Sequence, residues 1–175
     1  MQGARHAWRA GLCVAAALAA MPVFAADPCS SFTWDVSRER SLFAGNATSV
    51  PAGKDSATAP ALAAGKLVLL QLRPTGEVTF VAAPGRKNAT DGGYAGLAAL
   101  DIVTAGTYRI ALDAPLWIDV VADGGLVSST GHQGAPGCSP HKVVEFEFPV
   151  PRRLMLQFSG GGDPSVRVTV TAVQR

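Results

Sequence analysis

The chain has 175 residues, of which 48% are hydrophobic and 16% charged, a balance typical of one globular domain rather than of a disordered chain. Its 19 glycines and 12 prolines follow no fixed period, which excludes the collagen and coiled-coil classes. The 15 basic and 13 acidic residues give a formal net charge of +2, too small to indicate a nucleic-acid-binding protein.

The N-terminal residues have the order of a secretory signal peptide. Arg5 and Arg9 precede an apolar run over residues 12–23. This run holds about a dozen residues, fewer than the roughly 20 that a membrane-spanning helix needs. The small residues before the cleavage point predict a cut after Ala25, with Ala26 as the alternative. We therefore expect a periplasmic or secreted mature protein without a membrane span.

Removal of this segment changes the counts of charge and cysteine. Loss of Arg5 and Arg9 leaves 13 basic and 13 acidic residues, so neither nucleic acid nor an anionic membrane surface is an expected partner. Cys13 leaves as well, and the remaining Cys29 and Cys138 would lie in an oxidising compartment, which favours a disulfide over two free thiols. Closing a loop of about 110 residues would stabilise the fold by up to roughly 4 to 5 kcal/mol.

The first part of the mature chain carries little regular pattern. Residues 37–43 predict a short helix of about two turns, with Val36, Arg40 and Phe43 on one side. Residues 44–65 are rich in Ala, Ser, Thr, Pro and Gly, and this composition predicts a mobile surface loop. The expected organisation is a signal peptide (1–25), an N-terminal segment with that loop (26–65) and one folded domain (66–175).

From Lys66 onward, apolar residues alternate with polar ones at a period of two, the signature of β-strands. Residues 66–73 and 77–82 predict a hairpin, and 131–140 predict a loop because of their glycines and prolines. Eight or nine short strands without helical crossovers predict an all-β fold, an antiparallel β-sandwich or jelly roll. The further expected strands lie near residues 94–103, 108–112, 116–121, 126–130, 144–148, 154–158 and 166–172.

One pattern within these strands is shared with a known class of module. The stretch 105–110 (Ala-Gly-Thr-Tyr-Arg-Ile), a strand–loop–strand, and the closing pair 154–158 and 166–170 resemble the bacterial pre-peptidase C-terminal-type β-sandwich modules. The resemblance covers about residues 65–175. It implies a non-catalytic module that accompanies a secreted enzyme.

A second resemblance includes the mature N-terminus, where Cys29 is followed by Trp34, Asp35 and Val36. The whole pattern is similar to small uncharacterised exported proteobacterial proteins, some of which are named homogentisate dioxygenase. That name implies a non-haem iron enzyme. His132, His141 and Glu145 are the candidate two-histidine, one-carboxylate ligand set. On a straight strand, however, His141 and Glu145 would lie about 13 Å apart, so the alternative is two ordinary exposed histidines.

Two tryptophans are candidate binding residues. Trp34 and Trp117 would form a platform for a carbohydrate or peptide if they are exposed, but their strand-like positions favour core packing. The leading expectation is a non-catalytic binding or accessory module for an unidentified protein, small-molecule or carbohydrate ligand. The alternatives are a small dioxygenase-like metal enzyme using His132 and His141, and an envelope structural or inhibitor-like protein that pairs through an open sheet edge.

Overall fold

The computed structural model of the protein describes residues 27–87, 89 and 91–174, so the predicted signal peptide lies outside the described residues. Within these ranges the chain forms one α-helix, two short 3-10 turns (Pro28–Ser31 and Thr75–Glu77) and twelve strands. The elements are α1 (Ser37–Phe43), β1 (Thr48–Pro51), β2 (Ala61–Leu62), β3 (Leu67–Gln71), β4 (Arg73–Pro74), β5 (Tyr94–Ile102), β6 (Gly106–Leu112), β7 (Trp117–Ala122), β8 (Gly125–Val127), β9 (Gly131–Gly134), β10 (Lys142–Phe148), β11 (Arg152–Gly161) and β12 (Ser165–Ala172).

The strands form two sheets that pack face to face, which confirms the predicted β-sandwich. Sheet A has the order β1-β3-β12-β6-β10-β9, and sheet B has the order β2-β5-β11-β7-β8, with β4 also paired to β5. The core between them is built by the predicted alternation. On β6, for example, Tyr108, Ile110 and Leu112 all point inward and are buried, as the period-two pattern requires.

The segment 44–65 differs from the expected surface loop, because it adds an edge strand to each sheet. β1 pairs with β3 and β2 pairs with β5, both in parallel, so the two sheets are mixed rather than purely antiparallel. Ala52 and Leu62 are buried at these edges. Single apolar residues separated by prolines and glycines produce no readable period, which explains why the composition alone predicts a loop.

The predicted hairpin over residues 66–82 is also wrong. Only its first strand forms, as β3, and residues 78–83 then run as irregular chain. This irregular chain is fixed to sheet B by the side chain of Gln157, which binds the backbone of Val81 and Ala82. The alternating apolar residues of 78–82 are thus half-buried contacts of a covering loop, not the inward face of a strand.

The N-terminal segment covers the outer face of sheet A. The helix spans the predicted residues 37–43, and Val36 and Phe43 are buried against Leu67 and other residues of the sheet. Arg40, predicted on that side, is exposed, and Glu39 is buried in its place, where it accepts a hydrogen bond from the Thr171 hydroxyl. A carboxylate is tolerated there because this hydrogen bond satisfies it.

The disulfide predicted between Cys29 and Cys138 is present, with the two Cα atoms 4.9 Å apart. It joins the start of the described chain to the loop between β9 and β10. That loop is shorter than expected, because Gly131–Gly134 form β9 and pair with β10. The predicted loop over 131–140 therefore begins only at residue 135.

Candidate functional site

A cleft of about 360 Å³ opens between the two sheets where β7 and β8 face β9 and β10. This volume lies near the lower end of the range for small-molecule sites, roughly 300–1,000 Å³. The cleft is lined by Trp117, Ile118, Asp119, Leu126, Val127, Ser128, Ser129, His132, Lys142, Val144 and Phe146.

The strand pairing explains why the sheets part at this point. β8 pairs with β7 only over residues 120–122, so the first half of β7 has no neighbour from β8. After β8 the chain crosses over residues 128–130 from sheet B to sheet A and becomes β9. The crossing leaves the sandwich open on this side, and the start of β7 forms one wall of the opening.

The floor and the rim of the cleft differ in polarity. Ile118, Val144 and Phe146 belong to the main hydrophobic core and form an apolar floor. The rim carries Ser128, Ser129 and His132, all exposed, together with Leu126, which is 44% exposed. An apolar floor with a few polar groups at its rim is the usual composition of a ligand site.

The indole of Trp117 is held in one orientation by two contacts. Its Nε1–H donates to Oδ1 of Asp119 at 2.9 Å. The ammonium of Lys142 lies over the ring, with Nζ 5.0 Å from the ring centroid, a cation–π contact. Because Lys142 occupies one face of the ring, Trp117 is a fixed wall of the cleft rather than a free stacking platform.

Lys142 has a distinct electrostatic environment. Its Nζ donates to the carbonyl oxygen of Leu116 at 3.2 Å, and the side chain is half-buried. Burial lowers the pKa of Lys142 below its usual value, and the positive charge of Arg86 lowers it further, while the carboxylate of Asp119 opposes both effects. Lys142 lines the cleft itself, whereas Arg86 lies outside its lining.

Asp119 connects the cleft to the covering loop of residues 78–87. Its Oδ2 accepts the backbone N–H of Gly85 at 3.1 Å, while Oδ1 is occupied by Trp117. Gln157, which holds the same loop, is the cross-strand partner of Asp119 in β11. These two buried side chains fix the loop, and Arg86 follows directly after the anchored Gly85.

The three candidate metal ligands are not brought together. Glu145 forms an ion pair with Arg109 at 3.1 Å, on the outer side of sheet A. His132 pairs with Val144 and lies at the rim of the cleft, so strand alternation places it on the opposite face from Glu145. His141 precedes β10, with its backbone bonded to Leu112 and Ala135. Among the described residues, no group of three His, Cys, Asp or Glu side chains is arranged to hold a metal ion.

The two candidate tryptophans have different surroundings. Trp117 lines the cleft, as described above. Trp34 is half-buried against the second hydrophobic cluster on the outer side of sheet A, and the guanidinium of Arg109 lies 4.8 Å from its ring centroid. A Cβ atom added to Gly131 would come within 3.0 Å of this ring, so the strand β9 packs closely on it. The structure thus gives Trp34 a packing role.

Sequence reasoning missed Lys142 and Asp119. For Lys142 a signal was present, because it is in phase with Val144 and Phe146 in the alternation of β10 and must share their inward face. A lysine in the phase of buried residues at a strand end indicates a partly desolvated amine. No comparable signal marks Asp119, whose hydrogen bond to Gly85 depends on the course of the covering loop.

Comparison with known proteins gives no family for this chain: no protein-family model matches it, and no curated protein matches it. Within the part of the chain that the structure describes, no helix is long and apolar enough to cross a bilayer.

Proposed function

We propose that this protein is an exported, non-catalytic binding module of the periplasm, and that the cleft between β7–β8 and β9–β10 is its ligand site. The observation that carries the proposal is the cleft itself. It combines an apolar floor with the rim groups of Trp117, Lys142 and His132 in a volume suited to a small molecule.

Export is supported by the chemistry of the cysteines. The Cys29–Cys138 disulfide ties the N-terminal segment to the sandwich, and such bonds persist in oxidising compartments. The order of charge and hydropathy in residues 1–25 agrees with this location. The role of an accessory module beside a secreted enzyme, implied by the resemblance to pre-peptidase C-terminal-type modules, belongs to the same proposal.

Binding rather than catalysis is supported by the hydrogen bonds in the cleft. Each carboxylate oxygen of Asp119 already accepts a hydrogen bond, and the amine of Lys142 donates to a backbone carbonyl. A general base must lie within hydrogen-bond reach of the substrate proton. Side chains that are held by structural hydrogen bonds in this way are better placed to orient a ligand than to transfer its protons.

A structural role through β-augmentation has less support. The strands at the sheet edges are β1 and β9 in sheet A, and β2 and β8 in sheet B, and each has four residues or fewer. Short edge strands offer few backbone groups for pairing with another chain.

The binding proposal is tested by titrating three small aromatic probes and one disaccharide into the protein purified from the periplasm after expression of the full chain. Amide proton–nitrogen correlation spectra report which residues shift. We expect at least one of phenylacetate, phenylacetamide, phenethylamine and maltose to shift amides of β7–β10. The variant Ser128→Trp should block this response, whereas Ser56→Trp, which adds the same indole to an exposed turn, should not. Spectra that show no shifts at the cleft with any probe would overturn the proposal.

The same preparation tests export. The mass of the periplasmic product should correspond to cleavage after Ala25 or Ala26 and to an oxidised cysteine pair. Recovery of only the uncleaved chain from the cytoplasm would contradict the location.

A further inference from the structure

Resting on the proposed function, we infer that the ligand of the cleft is a small organic carboxylate with a flat apolar body, and that Lys142 holds its charged end. The apolar body would lie on Ile118, Val144 and Phe146, beside the fixed indole of Trp117. No motif in the sequence indicates this class of ligand. It is inferred from the side chains that the fold brings together at the cleft.

The charged groups that line the cleft favour an anion through their hydrogen bonds. Among the described residues, these groups are the Lys142 ammonium and the Asp119 carboxylate. Both oxygens of Asp119 accept hydrogen bonds from structural partners, the Trp117 indole and the Gly85 backbone. Lys142 is therefore the charged group that can donate to a ligand, and it lies beside apolar surface where an ion pair is screened less than in water.

The position of Lys142 suits a ligand carboxylate. Its ammonium has three donors, of which one is used by the carbonyl of Leu116, so two remain for a ligand. A hydrogen bond between an ammonium and a carboxylate is about twice as strong as one between neutral groups. The aliphatic part of the side chain lies against the Trp117 ring, which holds the amine at the edge of the apolar floor.

The same geometry disfavours a sugar. Carbohydrate sites use an open aromatic face, but Lys142 covers one face of Trp117 and Asp119 holds its edge. The floor residues Ile118, Val144 and Phe146 offer no side-chain hydrogen-bonding groups to hydroxyls. An apolar ligand with one charged end satisfies both the floor and the rim.

The test compares matched probes by the same amide titration. Phenylacetate, phenylacetamide and phenethylamine share one apolar body and carry a negative, no and a positive charge; acetate carries the charge without the body. We expect phenylacetate to bind at least about tenfold more tightly than phenylacetamide, because a charge-assisted hydrogen bond replaces a neutral one. Phenethylamine and acetate should bind most weakly.

Variants assign this preference to Lys142. Lys142→Met should lower the affinity for phenylacetate about tenfold and leave phenylacetamide within about twofold. Lys66→Met and Arg153→Gln remove one positive charge each at exposed positions outside the cleft lining and should leave the affinity unchanged.

The outcomes separate the two proposals. Equal affinity for phenylacetate and phenylacetamide at the cleft would overturn the carboxylate inference and leave the binding module intact. A preference for phenylacetate that survives in Lys142→Met would overturn the inference in the same way. If no probe shifts the cleft amides, the binding proposal itself fails.

Discussion

The side-chain amide of Gln157 lies in the fully buried part of sheet B and accepts the backbone N–H of Val81 at 2.6 Å. The same Oε1 accepts the N–H of Ala82 at 3.0 Å, and Nε2 donates back to the Ala82 carbonyl at 3.0 Å. One side chain thus provides the hydrogen bonds that a neighbouring strand would otherwise supply. It fixes an irregular loop to the outer face of a sheet.

Replacing Gln157 with Met keeps the length of the side chain and removes these three hydrogen bonds. We expect the free energy of unfolding to fall by roughly 2 to 3 kcal/mol, because buried backbone groups lose their partners. Urea unfolding of wild type and variant measures the difference. The control is Gln133→Met, whose amide similarly holds Thr33 and Trp34 but at a half-buried site that water can reach, so its loss should be smaller, about 1 kcal/mol. Equal losses in the two variants would contradict this account.

The burial of Gln157 is a feature that could not be predicted from the sequence. The alternation of Leu154, Leu156 and Phe158 predicted β11 and its inward face correctly. The same alternation assigned Gln157 to the opposite face, where a polar residue is normally solvated. Its burial follows from a loop more than seventy residues earlier in the chain, and such a contact has no local signal.

The candidate site also has a part that could be predicted from the sequence and a part that could not. Strand phase places Lys142 on the inward side of β10, so its partial burial was within reach of the sequence. The metal hypothesis instead combined His132, His141 and Glu145 from their types, although the strand period already separates the faces of His132 and Glu145 once β9 pairs with β10. The existence of β9 was hidden, because its glycines are typical of a loop.

The lowered pKa of Lys142 predicts a pH-dependent stability. Arg86 and Asp119 are the charged groups that act on the amine, with His132 at the same cleft. Since the folded pKa lies below the unfolded value of 10.5, the charged amine costs stability at neutral pH, and that cost disappears as the pH rises through the lowered pKa toward 10.5. At pH 7, Lys142→Met should therefore be within about 1 kcal/mol of wild type, because the lost cation–π contact offsets the relief.

The measurement is urea unfolding of wild type and Lys142→Met at a series of pH values from neutral to about 10.5. Wild type should gain stability relative to Lys142→Met as the pH rises. Lys142→Arg serves as the control, because its guanidinium stays charged and its difference from Lys142→Met should remain constant. A wild-type difference that is equally constant would show that the amine is not desolvated in the folded protein.

Arg109 makes three contacts, two of which join the N-terminal segment to sheet A. Its Nε pairs with Glu145 at 3.1 Å, its Nη1 donates to the Asp35 carbonyl at 2.8 Å, and its guanidinium lies over Trp34. The pair is mostly buried, with 13% and 20% of the two side chains exposed. Arg109→Met should therefore lower the free energy of unfolding by roughly 2 to 4 kcal/mol, because Glu145 loses its cationic partner.

The matched comparison is Arg153→Met, which breaks the exposed pair with Asp101 at 3.7 Å. That change should cost less than about 1 kcal/mol, since exposed ion pairs contribute little. Tryptophan fluorescence gives a second readout, because Arg109→Met should alter the emission of Trp34 whereas Arg153→Met should not. If Arg153→Met destabilises the protein as much as Arg109→Met, burial is not the deciding factor.

The Cys29–Cys138 disulfide closes a loop with a sequence separation of 109 residues. The double variant Cys29→Ala/Cys138→Ala should lose roughly 2 to 5 kcal/mol, because the unfolded chain regains the freedom that the crosslink removes. Wild type unfolded under reducing conditions should show the same loss, which controls for any effect of the substitutions themselves. Limited proteolysis of the native state adds a spatial test: cleavage should begin within residues 27–35, because the anchor of Cys29 is gone while the Val36 and Phe43 contacts with sheet A still hold the residues that follow. Initial cleavage within β7–β10 instead would place the effect of the disulfide on the cleft rather than on the N-terminal segment.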